Sequence, residues 1–180
     1  MTADGGLGHV DERGRASMVN VVAKPPTYRV ARASCAVTTS PAGRALLRDP
    51  ATGADVVSTA RTAGLAGAKR TAVFIPLCHP IRIDAVRVDV TIGRTGVAIT
   101  ASAESVERTG LEMEALTACA CAALSVVRAV LSVDPGARVD DLVLLHKSGG
   151  RSGTWDRSPD DPVVGQDGAP AGRDRTARRG

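Results

Sequence analysis

Alternating apolar and polar positions mark the first regular element. From Thr27 to Val37, one side of an extended chain carries Tyr28, Val30, Arg32, Ser34 and Ala36. The other side carries Arg29, Ala31, Ala33, Cys35 and Val37. The second set is apolar apart from Arg29, so the pattern predicts a strand with that side inward. Ser40-Pro41-Ala42-Gly43 reads as an N-cap followed by proline at the first helical position. A short helix through Leu47 follows, and Asp49-Pro50 ends it. Thr52 to Arg70 is alanine-rich, with Val56, Ala60 and Ala63 at helical spacing. It predicts a second helix, loosened by Gly64 and Gly67. Pro76 and Pro80 make Thr71 to Pro80 a constrained loop. Ala85 to Val90 alternates cleanly as a strand, Gly93 to Gly96 turns, and Val97 to Val106 returns as its hairpin partner.

Thr109-Gly110-Leu111-Glu112 fits a capping box. From there to Val133 the chain is apolar on nearly every side. This predicts a long central helix, about 30 Å if roughly 20 residues are helical, which needs cover from the sheet or from another subunit. Val139 to Leu145 is the last strand. The order strand, helix, helix, hairpin, helix, strand predicts an α+β, ferredoxin-like fold: an antiparallel sheet with helices packed on it. Residues 1–26 read as an extended N-terminal segment and 27–153 as the folded domain. Residues 154–180, rich in Gly, Pro, Asp and Arg, read as a disordered tail.

Composition removes several function classes. A length of 180 residues suits one domain. Aromatics are 2%, namely Tyr28, Phe74 and Trp155, too few for a base-stacking platform. The arginines are dispersed, so no nucleic-acid partner is expected. No run of 18 apolar residues exists and the N-terminus lacks a basic-then-apolar leader, so the reading is cytoplasmic, with no membrane partner. Net charge is only +4, but just three of 23 basic residues are lysines: Lys24, Lys69 and Lys147. Where arginine dominates, a retained lysine points to a need for a compact charge or a titratable amine. Cys35, Cys78, Cys119 and Cys121 contain no C-x-x-C pair, and on a helix Cys119 and Cys121 point to different sides. They read as reduced thiols, mostly buried. With only His9, His79 and His146 besides, neither a metal site nor a cofactor is expected.

Four segments carry candidate chemistry. Lys69-Arg70-Thr71 either complements a helix dipole or binds phosphate. In Ile75-Pro76-Leu77-Cys78-His79-Pro80 two prolines fix the direction of His79, which suits proton relay, ligand bonding or simple packing. Glu112-Met113-Glu114 opens the long helix, where acids either favour the first turn or line a cleft. His146-Lys147-Ser148-Gly149-Gly150-Arg151-Ser152-Gly153 offers backbone donors without the following helix of a P-loop.

Together with Met18-Val19-Asn20-Val21 and Glu112-Met113-Glu114-Ala115-Leu116-Thr117, these segments resemble the MoaC family, over about Leu7 to Gly153. The resemblance implies a ferredoxin-like subunit of a homohexamer, a trimer of dimers, with sites at subunit interfaces. It implies a cyclic pyranopterin monophosphate synthase of molybdenum cofactor biosynthesis, a lyase that converts a cyclised dihydro-GTP and releases pyrophosphate. It further implies that Lys69 binds phosphate, that Leu77, Cys78 and His79 line the pocket, that Glu112, Met113 and Glu114 contact the substrate, and that Lys147 lies in the closing glycine-rich segment. Some positions depart from the family pattern. Arg128 and Leu131 stand where the family has a catalytic aspartate and lysine. Gly53-Ala54-Asp55-Val56 replaces Lys-Gly-Asp-Val, and Asn20 replaces an aspartate. Arginine is no general base at ordinary pH, and leucine moves no proton. Catalytic residues are therefore unassigned by sequence. The alternative is a non-catalytic or altered-substrate paralogue that binds a nucleotide-like ligand. A buried Arg128 would need an anionic partner.

Overall fold

The computed structural model describes residues 10–11 and 13–158. Five strands form one antiparallel sheet: β1 (Thr27–Thr38), β2 (Ala85–Ile92), β3 (Gly96–Glu107), β4 (Arg138–Ser148) and β5 (Trp155–Asp156). Their order is β2-β3-β1-β4-β5. The helices are α1 (Pro41–Arg48), α2 (Pro50–Ala68), α3 (Thr71–Phe74) and α4 (Glu112–Val130). α4 lies against β1, β3 and β4, and α2 lies against α4 and β2, so helices cover one face of the sheet. This is the α+β, ferredoxin-like arrangement that the pattern predicts.

The strand faces follow the alternation. Ala31, Ala33, Cys35 and Val37 of β1 join Val97, Ile99, Ala101 and Ala103 of β3 and Val88 and Val90 of β2 under the helices. The opposite face carries Tyr28, Arg32, Arg87, Asp89, Thr100 and Glu104. No helix covers it. With so few aromatics the core is made of small side chains, and the layers pack closely. Gly64 and Gly67 do not loosen α2, as the sequence suggests; they let it touch α4. A Cβ on Gly64 would lie 3.0 Å from the Ala118 carbonyl oxygen, and one on Gly67 2.6 Å from Cys121 Sγ. The close approach offsets the conformational cost of helical glycine, roughly 0.5–1 kcal/mol relative to alanine. Cys119 is fully buried, and its carbonyl accepts a 3.5 Å bond from Cys35 Sγ. Cys121 faces α2, so the two thiols do point apart. All four cysteines are free.

Several boundaries move. The Asp49 carboxylate accepts from Thr52 N at 2.8 Å, which caps α2 two residues before the predicted start. Thr71–Phe74 folds as one helical turn where a loop is predicted. The capping box at Thr109 does not form: α4 begins at Glu112 itself, after Leu111, with no side-chain cap. β4 is bulged beside Arg32/Ala33 and Ser34/Ala36, with Asp141 at φ 50°. β5 is a strand inside the segment read as tail, pairing His146 with Asp156 and Lys147 with Trp155. The rest of that segment, from residue 159, lies outside the described residues. At the other end, Val10 bridges Ala16 and a turn follows, with no helix before β1 among the described residues.

α4 spans about 28 Å for its 19 residues. It is long and apolar enough to cross a membrane, yet half of that stretch is buried in the fold. Beyond it, Asp134 ties the layers together, accepting from Thr39 Oγ1 at 2.7 Å and Ser40 N at 2.6 Å. These bonds hold its carboxyl below the ordinary range, the Thr39 hydroxyl most of all.

Candidate functional site

One end of the sheet gathers most of the candidate residues. β1 begins there, β3 and β4 end there, and α4 starts there. The segment between α3 and β2 is anchored to this end from several directions. Asp84 Oδ2 accepts from Ser105 Oγ at 3.0 Å and Val106 N at 3.1 Å, and Glu107 Oε1 accepts from Arg82 N at 3.3 Å. At its centre the Cys78 N–H donates to the Ile75 carbonyl at 3.3 Å. Pro76 occupies the second position of that turn and Leu77, at φ 68°, the third. This is the pattern of a type II turn, whose third position favours glycine. Leu77, Cys78 and His79 are all half-buried. His79 makes no hydrogen bond or ion pair among the described residues.

The missing capping box has a direct consequence. Glu112 makes no capping hydrogen bond; its carboxylate lies over Gly110, where a Cβ would collide with it, and meets Lys147 Nζ at 3.3 Å. Lys147 comes from β4, opposite Ala31 on β1, which places it on the helix-covered side. One half-turn further along α4, Glu114 is only 4% exposed. Burial, helped by the negative charge of Glu112, pushes its carboxyl from the ordinary 4.5 up to about 7. Burial also raises the Cys78 thiol, and the Glu114 charge adds to the effect. Cys78 is therefore a neutral thiol near pH 7, suited to lining a cavity rather than attacking a substrate. Met113 lies half-buried between the two glutamates.

Arg29 completes this end and was not singled out by sequence. Its Nε donates to the Glu107 carbonyl at 2.8 Å and its Nη2 to the Arg108 carbonyl at 3.2 Å. Above it the chain turns through Gly149 (φ 94°) and Gly150 (φ 73°). A Cβ on Gly150 would stand 2.5 Å from Arg29 Nη1, and one on Gly149 would collide with the Tyr28 carbonyl. Arg29 thus seats the glycine segment that follows Lys147. The available signal was its place as the lone charge on the apolar side of β1.

Other candidates are tied to this set by no hydrogen bond or ion pair among the described residues. Lys69 is the exposed C-cap of α2 and makes no ion pair among the described residues. Arg128 and Leu131 lie at the far end of α4, about 21 Å along the axis from Glu114 at 1.5 Å per residue. Arg128 is exposed, so it needs no buried anionic partner. The segment Gly53-Ala54-Asp55-Val56 opens α2, and Asn20 Oδ1 accepts from Val22 N at 2.9 Å in the lead-in. Within one chain the assembled set is Cys78, His79, Glu112, Met113, Glu114 and Lys147. It combines an acid that exchanges protons near neutrality with a lysine and a preformed turn.

Comparison with known proteins gives a consistent picture. The family model described as "MoaC family" matches residues 18–150. The chain is 49% identical over 158 residues to the cyclic pyranopterin monophosphate synthase of Thermomicrobium roseum, covering 86% of this chain and 95% of that protein. It is 48% identical over 157 residues to cyclic pyranopterin monophosphate synthase 2 of Mycobacterium tuberculosis, covering 85% and 92%. It is 48% identical over 153 residues to the cyclic pyranopterin monophosphate synthase of Streptomyces coelicolor, covering 84% and 90%. The matched region contains every strand from β1 to β4 and every segment of the site, and so the chain belongs to the MoaC family.

Proposed function

We propose that this chain is a lyase of the cyclic pyranopterin monophosphate synthase type. It converts a cyclised dihydro-GTP into cyclic pyranopterin monophosphate and releases pyrophosphate, a step of molybdenum cofactor biosynthesis. The observation that carries this reading is Glu114, a buried carboxyl near pKa 7 beside the Glu112–Lys147 pair and the Cys78–His79 turn. Ring opening and rebuilding need a group that gives and takes protons at neutral pH, and an acid with that pKa does both. Arg128 and Leu131 exchange no protons, so that role falls to Glu114, with His79 beside Cys78 as second relay. Lys147, and Lys69 at the C-cap of α2, supply positive charge for the leaving pyrophosphate. Leu77, Cys78 and Met113 line the pterin side.

The site works as part of a homohexamer. Two features support this. The Glu114 end and the Arg128 end of α4 are too far apart to serve one ligand within a chain. Leu124, between them, is 61% exposed, and Leu131, just past Arg128, is 50% exposed. An antiparallel pairing of α4 with a second copy covers those leucines and brings Arg128 of one chain to the acidic entrance of the other. Arg128 then contacts the substrate's phosphates as a fixed cation.

Purified full-length protein given the cyclised dihydro-GTP is expected to release pyrophosphate over many turnovers. Binding without release would overturn the reading in favour of a non-catalytic or altered-substrate paralogue, which the close likeness to named synthases does not favour.

A further inference from the structure

Three segments carry the site: the entrance to α4 with Glu112 and Glu114, the turn with Cys78 and His79, and the end of β4 with Lys147. One side chain links all three. Arg29 stands on β1 between β3 and β4, opposite Ser105 of β3. On its other side Ala31 pairs with Lys147 and Val30 with Ser148, so Arg29 comes level with Gly149, where the chain leaves β4. The half-buried guanidinium reaches both ways. Towards β3, Nε donates to the Glu107 carbonyl at 2.8 Å and Nη2 to the Arg108 carbonyl at 3.2 Å. Towards β4, Nη1 and Nη2 lie 2.5 and 2.7 Å from where a Gly150 Cβ would stand, and Cγ lies 3.1 Å from the same point on Gly149. Glu107 passes the hold on: its carboxylate accepts from Arg82 N at 3.3 Å, in the segment that carries His79.

These contacts close a ring. From the two carbonyls held by Arg29, the chain runs through Thr109, Gly110 and Leu111 to Glu112. Glu112 meets Lys147, β4 continues to Gly149 and Gly150, and these return to Arg29. α4 begins without a side-chain cap, so the place of its first turn is set by its neighbours. Both Arg29 bonds end on backbone carbonyls, so their work is geometric and neutralises no carboxylate. A planar fork supplies two fixed donors to consecutive carbonyls, whereas an ammonium on a flexible stem does not. We propose that Arg29 is a positioning residue, which grips both chain exits and thereby fixes the Glu112–Lys147 pair in the arrangement the reaction uses. This role rests on the lyase reading above. Arg29 acts through that pair rather than on the substrate.

Two readouts on the full-length protein test it, and the first needs no turnover. Arg29→Lys and Arg29→Ala are expected to speed amide hydrogen exchange together in peptides spanning 108–115 and 145–153, with the β2–β3 hairpin as protected as in wild type. Unchanged exchange in either segment overturns the brace. Circular dichroism verifies folding, and Arg29→Lys keeps the test alive should Arg29→Ala not fold. The second readout is kinetic, with the cyclised dihydro-GTP as substrate. In Arg29→Lys, kcat should fall about tenfold or more while KM stays within about threefold. Guanidinium ion should restore part of the kcat of Arg29→Ala, and ammonium ion should not. The double variant Arg29→Ala/Lys147→Ala should be no slower than Lys147→Ala within about twofold, because both changes remove one arrangement. A rise in KM alone, equal rescue by ammonium, or losses that multiply in the double variant would each overturn the positioning role. A wild-type protein that releases no pyrophosphate defeats the lyase reading instead, and hydrogen exchange then decides the brace by itself.

Discussion

Lys147 and Glu112 meet at 3.3 Å although one comes from the last long strand and the other from the first residue of α4. Their side chains are about equally open, 29% and 31% exposed. Glu112 thus pairs across to the sheet instead of filling the capping position that local spacing assigns to it. The pair also ties β4 to the first turn of α4, the turn that carries the buried Glu114.

For a pair this open, Coulomb attraction is screened, and its loss costs at most about 1 kcal/mol of stability. Lys147→Ala is therefore expected to melt within a few degrees of wild type. Its kcat/KM should fall tenfold or more, equivalent to about 1.4 kcal/mol of transition-state stabilisation. Wild-type kinetics in this variant would remove Lys147 from the site.

Glu114 gives stability a distinctive pH dependence. Its folded carboxyl titrates near 7 and its unfolded one near 4.5, so between those values the folded state holds the extra proton. Stability is greatest below the unfolded value and declines as pH rises through about 7, by up to about 3 kcal/mol. Melting temperature should drop between pH 5 and pH 8. Glu114→Gln, which cannot ionise, should flatten that slope and abolish turnover. An equally steep slope in the variant would place the effect elsewhere.

Gly149 occupies the left-handed region with its α-carbon against the Tyr28 carbonyl. Gly149→Ala adds a methyl group where backbone already stands and imposes a conformation costing about 1–2 kcal/mol by itself. A destabilisation of at least that size is expected in urea unfolding, with activity reduced because the segment after Lys147 shifts. Gly153→Ala, also at positive φ but with nothing within 4 Å, should lose less.

Arg128 tests the two-copy site. It is exposed on one chain, so Arg128→Ala should change stability by no more than about 0.5 kcal/mol. Titration calorimetry should nevertheless show weaker binding of the nucleotide-derived substrate, with the assembled mass retained. Equal affinity in wild type and variant would exclude a phosphate contact.

Elements that bury one face were legible because period alone specifies them. The alternation in β1 separated Ala31, Ala33 and Cys35 from Tyr28, Arg32 and Ser34 correctly, and Ser40 does cap α1, accepting from Gly43 N at 3.3 Å. Features set by distant partners were not legible. The capping box failed because α4 starts at Glu112 itself, so the residue that the box needs in the third helical position stands in the first. β5 was missed because two residues have no periodicity, and their pairing depends on the glycine turn before them. Arg29 looked like an imperfection in a strand; its role follows from carbonyls on β3 and the loop beyond it. In the site, the proline-stiffened turn and the acidic helix entrance were visible as motifs. The raised pKa of Glu114 was not, because depth below the surface is a property of the finished fold.

Leu77 holds a backbone angle at which glycine would be at ease. A leucine there raises the local energy, and neighbouring anchors at Asp84 and Arg82 keep the peptide from flipping back. The orientation of the Cys78 amide is thus enforced from outside the turn rather than chosen by it. Loosening those anchors would relax the turn and move the Cys78 thiol away from the Glu114 carboxylate that now acts on it.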